Sequence, residues 1–443
     1  MFAVFASLCM VSINDNNREA CHGWLLIGVH SLGISGILSI LIVFLRVPFF
    51  KSMVSNADRL FDLSLVIHVN CSVLVWLCAM SSLLISMTYN KRSKYVNYIW
   101  TISAVGSIIM ALSAVSRNAV PIKSNYIPVI DNTTFFTGLA LFFAGVVLNT
   151  SPSVLRTSSL RASPTLAGIY GISAMLSAVL ICFISAHAVT VSGADRLQFY
   201  EQIFWGAGHL LQGVFSQTFL VVLLLEIGEC RFANRYLLSA VFLINTASVV
   251  IASAAHLVHP SDFDALATFF TWHMRIAEGV IPLFLVFFTI ANLRLLLKLD
   301  NRHLLYSSAI FIYGSILGVL SIHGTVTIPA HYHGCVVGMT AAFMGFIYSL
   351  LPKLGYEAVS LRWRNAQLGL YSAGQVLHIT GLELLGGYGA LRKVTHIPDA
   401  ASKLAKHCFS FGGALAILGG SLFILLTLIC IYKNKARTSK VGL

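Results

Sequence analysis

An all-α polytopic membrane bundle of twelve transmembrane helices is the fold class this sequence predicts. Three observations predict it. Of the 443 residues, 57% are hydrophobic and only 10% are charged, where a soluble domain carries about 25% charged residues. Apolar runs recur at the roughly 20-residue length that crosses a bilayer. They are continuous rather than alternating, which excludes a β-barrel.

The expected spans lie near 23–46, 61–88, 97–117, 133–154, 165–192, 203–227, 234–257, 273–297, 303–328, 330–352, 368–390 and 407–432. The connections are short and no internal repeat is visible, so the expectation is one transmembrane domain over 1–443. With the N-terminus placed inside, the inner segments hold 18 of the 29 Lys and Arg residues. The positive-inside rule then puts both termini in the cytoplasm. The first dozen residues, MFAVFASLCMVS, lack the basic start and small-residue cleavage site of a signal peptide. A net charge of +13 reads as cytoplasmic loops and contact with anionic lipid, not as a nucleic-acid surface. Nine cysteines stand singly with no CxxC or CxxCH pattern, which excludes a zinc ribbon and covalently attached haem.

Histidine is costly inside a bilayer and marks function there. Under this topology His68, His187, His209, His256, His259, His323, His331 and His333 fall in one outer layer, contributed by six helices. Neutral imidazole is the commonest metal ligand, and bundle interiors host cofactors between facing helices. The expectation is a metal or haem site in the outer half. Packing histidines are the alternative at any single position. In IPAHYHG (328–334), His331 and His333 are two residues apart, about 200° around a helix. They face opposite sides, so they cannot chelate one metal but can serve two cofactors.

The stretch IHGTVTIPAHYHGCVVGMTAAFMGFIYSLLPKLG resembles the tenth-helix region of subunit I of the haem-copper oxidases. The resemblance implies that His331 is the proximal ligand of a high-spin haem and His333 an axial ligand of a low-spin haem. In DLSLVIHVNCSVLVW, His68 is the implied second low-spin ligand. YEQIFWGAGHLLQ is similar to the sixth-helix segment and makes His209 a copper ligand. GALRKV followed by IPDA places Arg392 and Lys393 at haem propionates, and His323 matches a histidine beside them, with Gly324 where the family has an aspartate.

Two departures accompany the match. The family completes its copper with adjacent histidines after helix 7, where this chain reads SAAHLVHP. His256 and His259 are the implied substitutes, with His273 in TWHMR as the other option. The oxygen reductases also use a tyrosine near copper, yet Gly213 stands four residues after His209, and Tyr236 is the only helix-7 tyrosine. Asp62, Glu201 and Glu278 are the carboxylates near spans. Glu278 reads either as a proton relay or as a partner of Arg275.

The resemblance implies a terminal respiratory oxidase subunit of cytochrome-c-oxidase type. Electrons would pass through low-spin and high-spin haem to oxygen at a haem-copper centre, with proton translocation. Its implied partners are a subunit II, other membrane subunits, cytochrome c or quinol as donor, and membrane lipid, in a bacterial inner membrane. Two further readings are a diverged haem-binding subunit without a complete copper site and a nitric oxide reductase-like enzyme, which carries non-haem iron and carboxylates in place of copper.

Overall fold

The computed structural model describes residues 11–89, 94–154, 163–189, 195–227, 234–258, 262–298, 302–321, 325–391 and 402–441. Twelve long helices follow one another among them. They are α1 (Arg18–Arg46), α2 (Ala57–Ser86), α3 (Tyr95–Val115), α4 (Thr133–Val154), α5 (Pro164–Val189) and α6 (Arg196–Ile227). The remainder are α7 (Arg235–Val258), α8 (Phe263–Ala291), α9 (Arg302–Leu320), α10 (Thr327–Leu350), α11 (Leu361–Gly387) and α12 (Lys403–Val441). Eleven of the twelve are long and apolar enough to cross a membrane. The exception, α11, carries Arg362, Arg364 and Glu383. Only helices and closed barrels satisfy backbone polar groups in lipid, so these runs fold as a helical bundle, and the chain is an integral membrane protein.

Packing divides the chain into two compact units. The first comprises residues up to 42, 54–228 and 233–284; the second comprises 43–53, 229–232 and 285–443.

In the first unit the half of α2 from Trp76 to Ser86 is buried on every face. A polar knot links α1, α2 and α4. Buried Asn149 accepts from Trp24 Nε1 at 3.1 Å and from Ser86 Oγ at 3.2 Å, and donates to the Ser82 carbonyl at 3.0 Å. The Tyr89 hydroxyl joins it at 2.9 Å. Helices α3 and α4 meet backbone to backbone, since a Cβ on Gly138 would lie 2.5 Å from the Met110 nitrogen. Small residues of this kind let membrane helices approach closely where no hydrophobic drive exists between them.

The α3–α4 connection forms a two-stranded antiparallel hairpin, β1 (Pro121–Ile122) with β2 (Val129–Ile130). Polar contacts pin it to two helices, α2 and α6. Lys123 Nζ meets Asp62 of α2 at 2.9 Å. Asn125 donates from its backbone and side-chain nitrogens to the two oxygens of Glu201 on α6, at 2.8 and 2.9 Å. Buried Asn70 donates to the Pro128 carbonyl at 2.7 Å. Asp131 accepts from Tyr200 at 2.7 Å and pairs with Arg196.

In the second unit α9 packs on α10, α10 on α11, and α11 on α12. Glycine allows these close approaches. A Cβ on Gly314 of α9 would stand 2.6 Å from the backbone nitrogen of Cys335 and from the carbonyl carbon of Gly334. Gly334 follows His333 directly, so the glycine pair draws the histidine turn of α10 against α9.

Candidate haem site and the His209 cluster

Five described histidines bond Nδ1 to a backbone carbonyl. One is the exposed His30, to Leu26 one turn back at 2.8 Å, and the other four lie deeper among the helices. Nδ1 of His68 lies 3.0 Å from the Ser35 carbonyl of α1 and 2.9 Å from Ser35 Oγ. Nδ1 of His331 lies 2.8 Å from the Gly314 carbonyl of α9. His209 makes the same bond to the Trp205 carbonyl one turn back, at 2.8 Å. His378 of α11 makes it to the Phe409 carbonyl of α12, at 2.8 Å. A carbonyl only accepts, so Nδ1 carries the proton in each neutral ring and Nε2 is the basic nitrogen. This is the way proteins orient a metal-ligating imidazole: the second nitrogen is tied to a carbonyl and fixes tautomer and ring plane.

On α10 the two histidines turn to different neighbours. The His331 ring lies against α9, where a Cβ on Gly318 would come within 2.6 Å of its Nδ1. The His333 ring lies 5.4 Å from the His378 ring of α11, at 52°. His378 in turn stacks on Phe409 at 4.7 Å, and the Arg46 guanidinium sits 5.8 Å from the Phe409 ring centre. The 200° separation on the helix therefore becomes two separate environments. His331 has Nδ1 bound to a backbone carbonyl, which leaves Nε2 as its basic nitrogen. His68, anchored through Ser35, belongs to the first unit, and His331 and His333 belong to the second.

The His209 cluster differs. Its Nε2 lies 2.8 Å from the hydroxyl of Tyr126, at the tip of the hairpin. Nδ1 carries the proton, so the phenol donates, and both ring nitrogens are engaged. The Tyr126 and Trp205 rings flank the imidazole, at 4.5 and 5.2 Å between centres. Phe270 packs against His209 at 6.1 Å and against His256 at 5.7 Å. The nearest polar partner of His256 Nδ1 is Cys182 Sγ, at 3.7 Å. Among the described residues no three His, Cys, Asp or Glu side chains converge as a metal-binding group. His209 and His256 as placed here thus do not fit a copper ion, which needs free imidazole nitrogens directed at one point.

His273, the other option for copper, pairs instead with Glu278 on its own helix, Nδ1 to Oε1 at 3.4 Å. Residues Met274–Glu278 form a π-turn, whose wider i to i+5 geometry brings positions 273 and 278 together. Arg275 is not the partner of Glu278; its guanidinium lies over Trp272, 5.5 Å from the ring centre. Glu278 reaches α6 at Gly213, where an added Cβ would be 3.4 Å from the carboxyl carbon. Asp62 and Glu201 anchor the hairpin through Lys123 and Asn125. His187 is exposed at the end of α5. His259, His323, Arg392 and Lys393 lie outside the described residues.

Tyr126, Ser35, Gly314, Gly318 and His378 are participants that local sequence reasoning did not single out. His378 alone had a signal in the sequence, as a histidine within a span. The others become visible only when separate helices meet.

The comparisons with known proteins bear on the family and the fold. The model of the family "Cytochrome C and Quinol oxidase polypeptide I" matches residues 21–419. An uncharacterised protein of Rickettsia prowazekii (strain Madrid E) is 26% identical, over 93% of this chain and 96% of its own length. One from Aquifex aeolicus (strain VF5) is 23% identical, over 75% of this chain and 85% of its own length. A haem-copper terminal oxidase solved as a dimer by cryo-electron microscopy shares the fold. It superposes with a TM-score of 0.67 over 95% of this chain and 84% of its own, at 13% identity. With a helical membrane bundle and a family match across nearly its whole length, the chain belongs to the cytochrome c and quinol oxidase polypeptide I family.

Proposed function

We propose that this chain is a haem-bearing, electron-transferring subunit of a membrane oxidase assembly. The observation that supports the reading is the Nδ1 bond from His331 to the Gly314 carbonyl at 2.8 Å, which fixes the tautomer with Nε2 as the basic nitrogen. Bound haem would supply a one-electron carrier whose potential is set by axial ligands and their hydrogen bonds. His331 would hold the high-spin haem. His68 and His333 are assigned to the low-spin haem by the family pattern alone. The carbonyl bonds raise the basicity of Nε2 and hold the ring planes still, which keeps reorganisation small when iron changes charge. Arg392 and Lys393 are assigned to the propionates, with His323 near them, by the family pattern. Oxygen is the terminal acceptor of the assembly in this reading. Cytochrome c or quinol is the donor, subunit II a partner, and a bacterial inner membrane the location. Reduction of oxygen by this chain itself would further require copper on His209 with His256 and His259.

A nitric oxide reductase-like reading has one observation in its favour, the approach of the Glu278 carboxylate to α6 one turn beyond His209. Iron, copper and haem per purified chain separate these readings. Two irons as haem support the proposal, and a third, non-haem iron supports nitric oxide chemistry. His331→Ala should abolish carbon monoxide binding and spare the low-spin spectrum. Survival of both signals would refute the ligand assignment, and absence of haem would refute the function.

A further inference from the structure

We propose that the hairpin between α3 and α4 is a built-in plug whose tip residue, Tyr126, occupies the nitrogen of His209 that a metal would need. The inference deepens the haem-bearing reading by giving its sixth-helix histidine a protein partner in place of copper.

Four independent features of the chain converge on that contact. The first is the bond itself, Tyr126 Oη to His209 Nε2 at 2.8 Å, made while Nδ1 is committed to Trp205. A lone pair that accepts a phenol proton is not available to a metal, so the two partners exclude each other. The second is backbone geometry. Tyr126 sits at φ +62°, a region that a bulky non-glycine residue rarely adopts unless its surroundings impose it. The third is the anchorage, in which Lys123, Asn125, Pro128 and Asp131 on both sides of the tip are tied to α2 and α6. The fourth is the floor under the ring. A Cβ at Gly208 would collide with Cβ and Cγ of Tyr126, so the glycine beside His209 is what admits the tyrosine. Phe270 closes the other side of the imidazole, where His256 also packs.

The test uses the full chain purified from membranes with its haem, as wild type, Tyr126→Phe and Gly208→Ala. Phenylalanine keeps the ring and removes only the donor. Alanine at 208 displaces the same ring by an independent route, which covers the failure of either variant to fold. Each protein is titrated with Cu(II) and followed by electron paramagnetic resonance, with His209→Ala in each background defining uptake at His209. Iron and haem are measured on the same samples. Wild type should purify without stoichiometric copper, and both variants should take Cu(II) at His209 roughly five- to tenfold more tightly, the equivalent of one net hydrogen bond. Stoichiometric copper in the wild type, lost in His209→Ala, would overturn the proposal. So would equal Cu(II) uptake by all three proteins. Samples without haem in which the variants still gain Cu(II) would sink the haem-bearing reading and leave the plug standing.

Discussion

Gly318→Ala is a sharp perturbation of the proposed iron ligand, because it adds one methyl group and replaces no histidine. On α9 the new Cβ would stand 2.6 Å from Nδ1, 2.7 Å from Cε1 and 3.1 Å from Cγ of His331. Non-bonded heavy atoms rest at about 3.5–4.0 Å, so the imidazole must retreat by about 1 Å. Its Nδ1 bond to Gly314, now 2.8 Å, cannot survive a shift of that size within hydrogen-bond limits. Overpacking costs about 1–3 kcal/mol, and a buried donor left without its acceptor costs a similar amount. The two are not additive, and a total of roughly 2–4 kcal/mol follows. Thermal unfolding in detergent should show the loss. The carbon monoxide difference spectrum should weaken or shift while the low-spin signal persists. Gly369→Ala is the control, since nothing lies within 4 Å of its new Cβ and alanine is the better helix former. An unchanged carbon monoxide spectrum and melting temperature in Gly318→Ala would refute the seating of His331 against α9.

Other perturbations have equally definite outcomes. Asn149→Ala removes the hub that joins Trp24, Ser86, Tyr89 and the Ser82 carbonyl. It should cost roughly 2–4 kcal/mol, whereas Tyr89→Phe should cost about 1 kcal/mol, both read from thermal unfolding. Glu201→Gln weakens a charge-assisted anchor of the hairpin. It should expose the 120–131 segment to proteolysis and move Cu(II) uptake in the direction of Tyr126→Phe. Glu278→Gln replaces a buried carboxylate whose oxygens have no hydrogen-bond donor by a neutral amide. It should leave stability unchanged or raise it by about 1 kcal/mol. A loss above roughly 2 kcal/mol would show that an ionised pair with His273 contributes to stability.

Much of this architecture is a property of the linear sequence. Lipid demands that each backbone bond be satisfied within its own segment, so twenty apolar residues are enough to specify a helix. The twelve spans expected from hydropathy correspond to the twelve long helices, with α11 the most polar. The separation of His331 from His333 also follows from local geometry, because 100° per residue is intrinsic to the helix. What each imidazole meets is a different kind of fact. Ser35 reaches His68 across 33 residues, Gly314 reaches His331 across 17, and Tyr126 reaches His209 across 83. None of these partners has a spacing or motif that marks it, since each pair exists only where two helices, or a hairpin and a helix, are brought together. The pairing of His273 with Glu278 is local in sequence, yet it depends on a π-turn in place of the regular period. The histidine positions, then, are determined by the sequence alone. Which of their nitrogens can meet a metal is decided by tertiary packing, because a hydrogen-bond partner and a metal compete for the same lone pair.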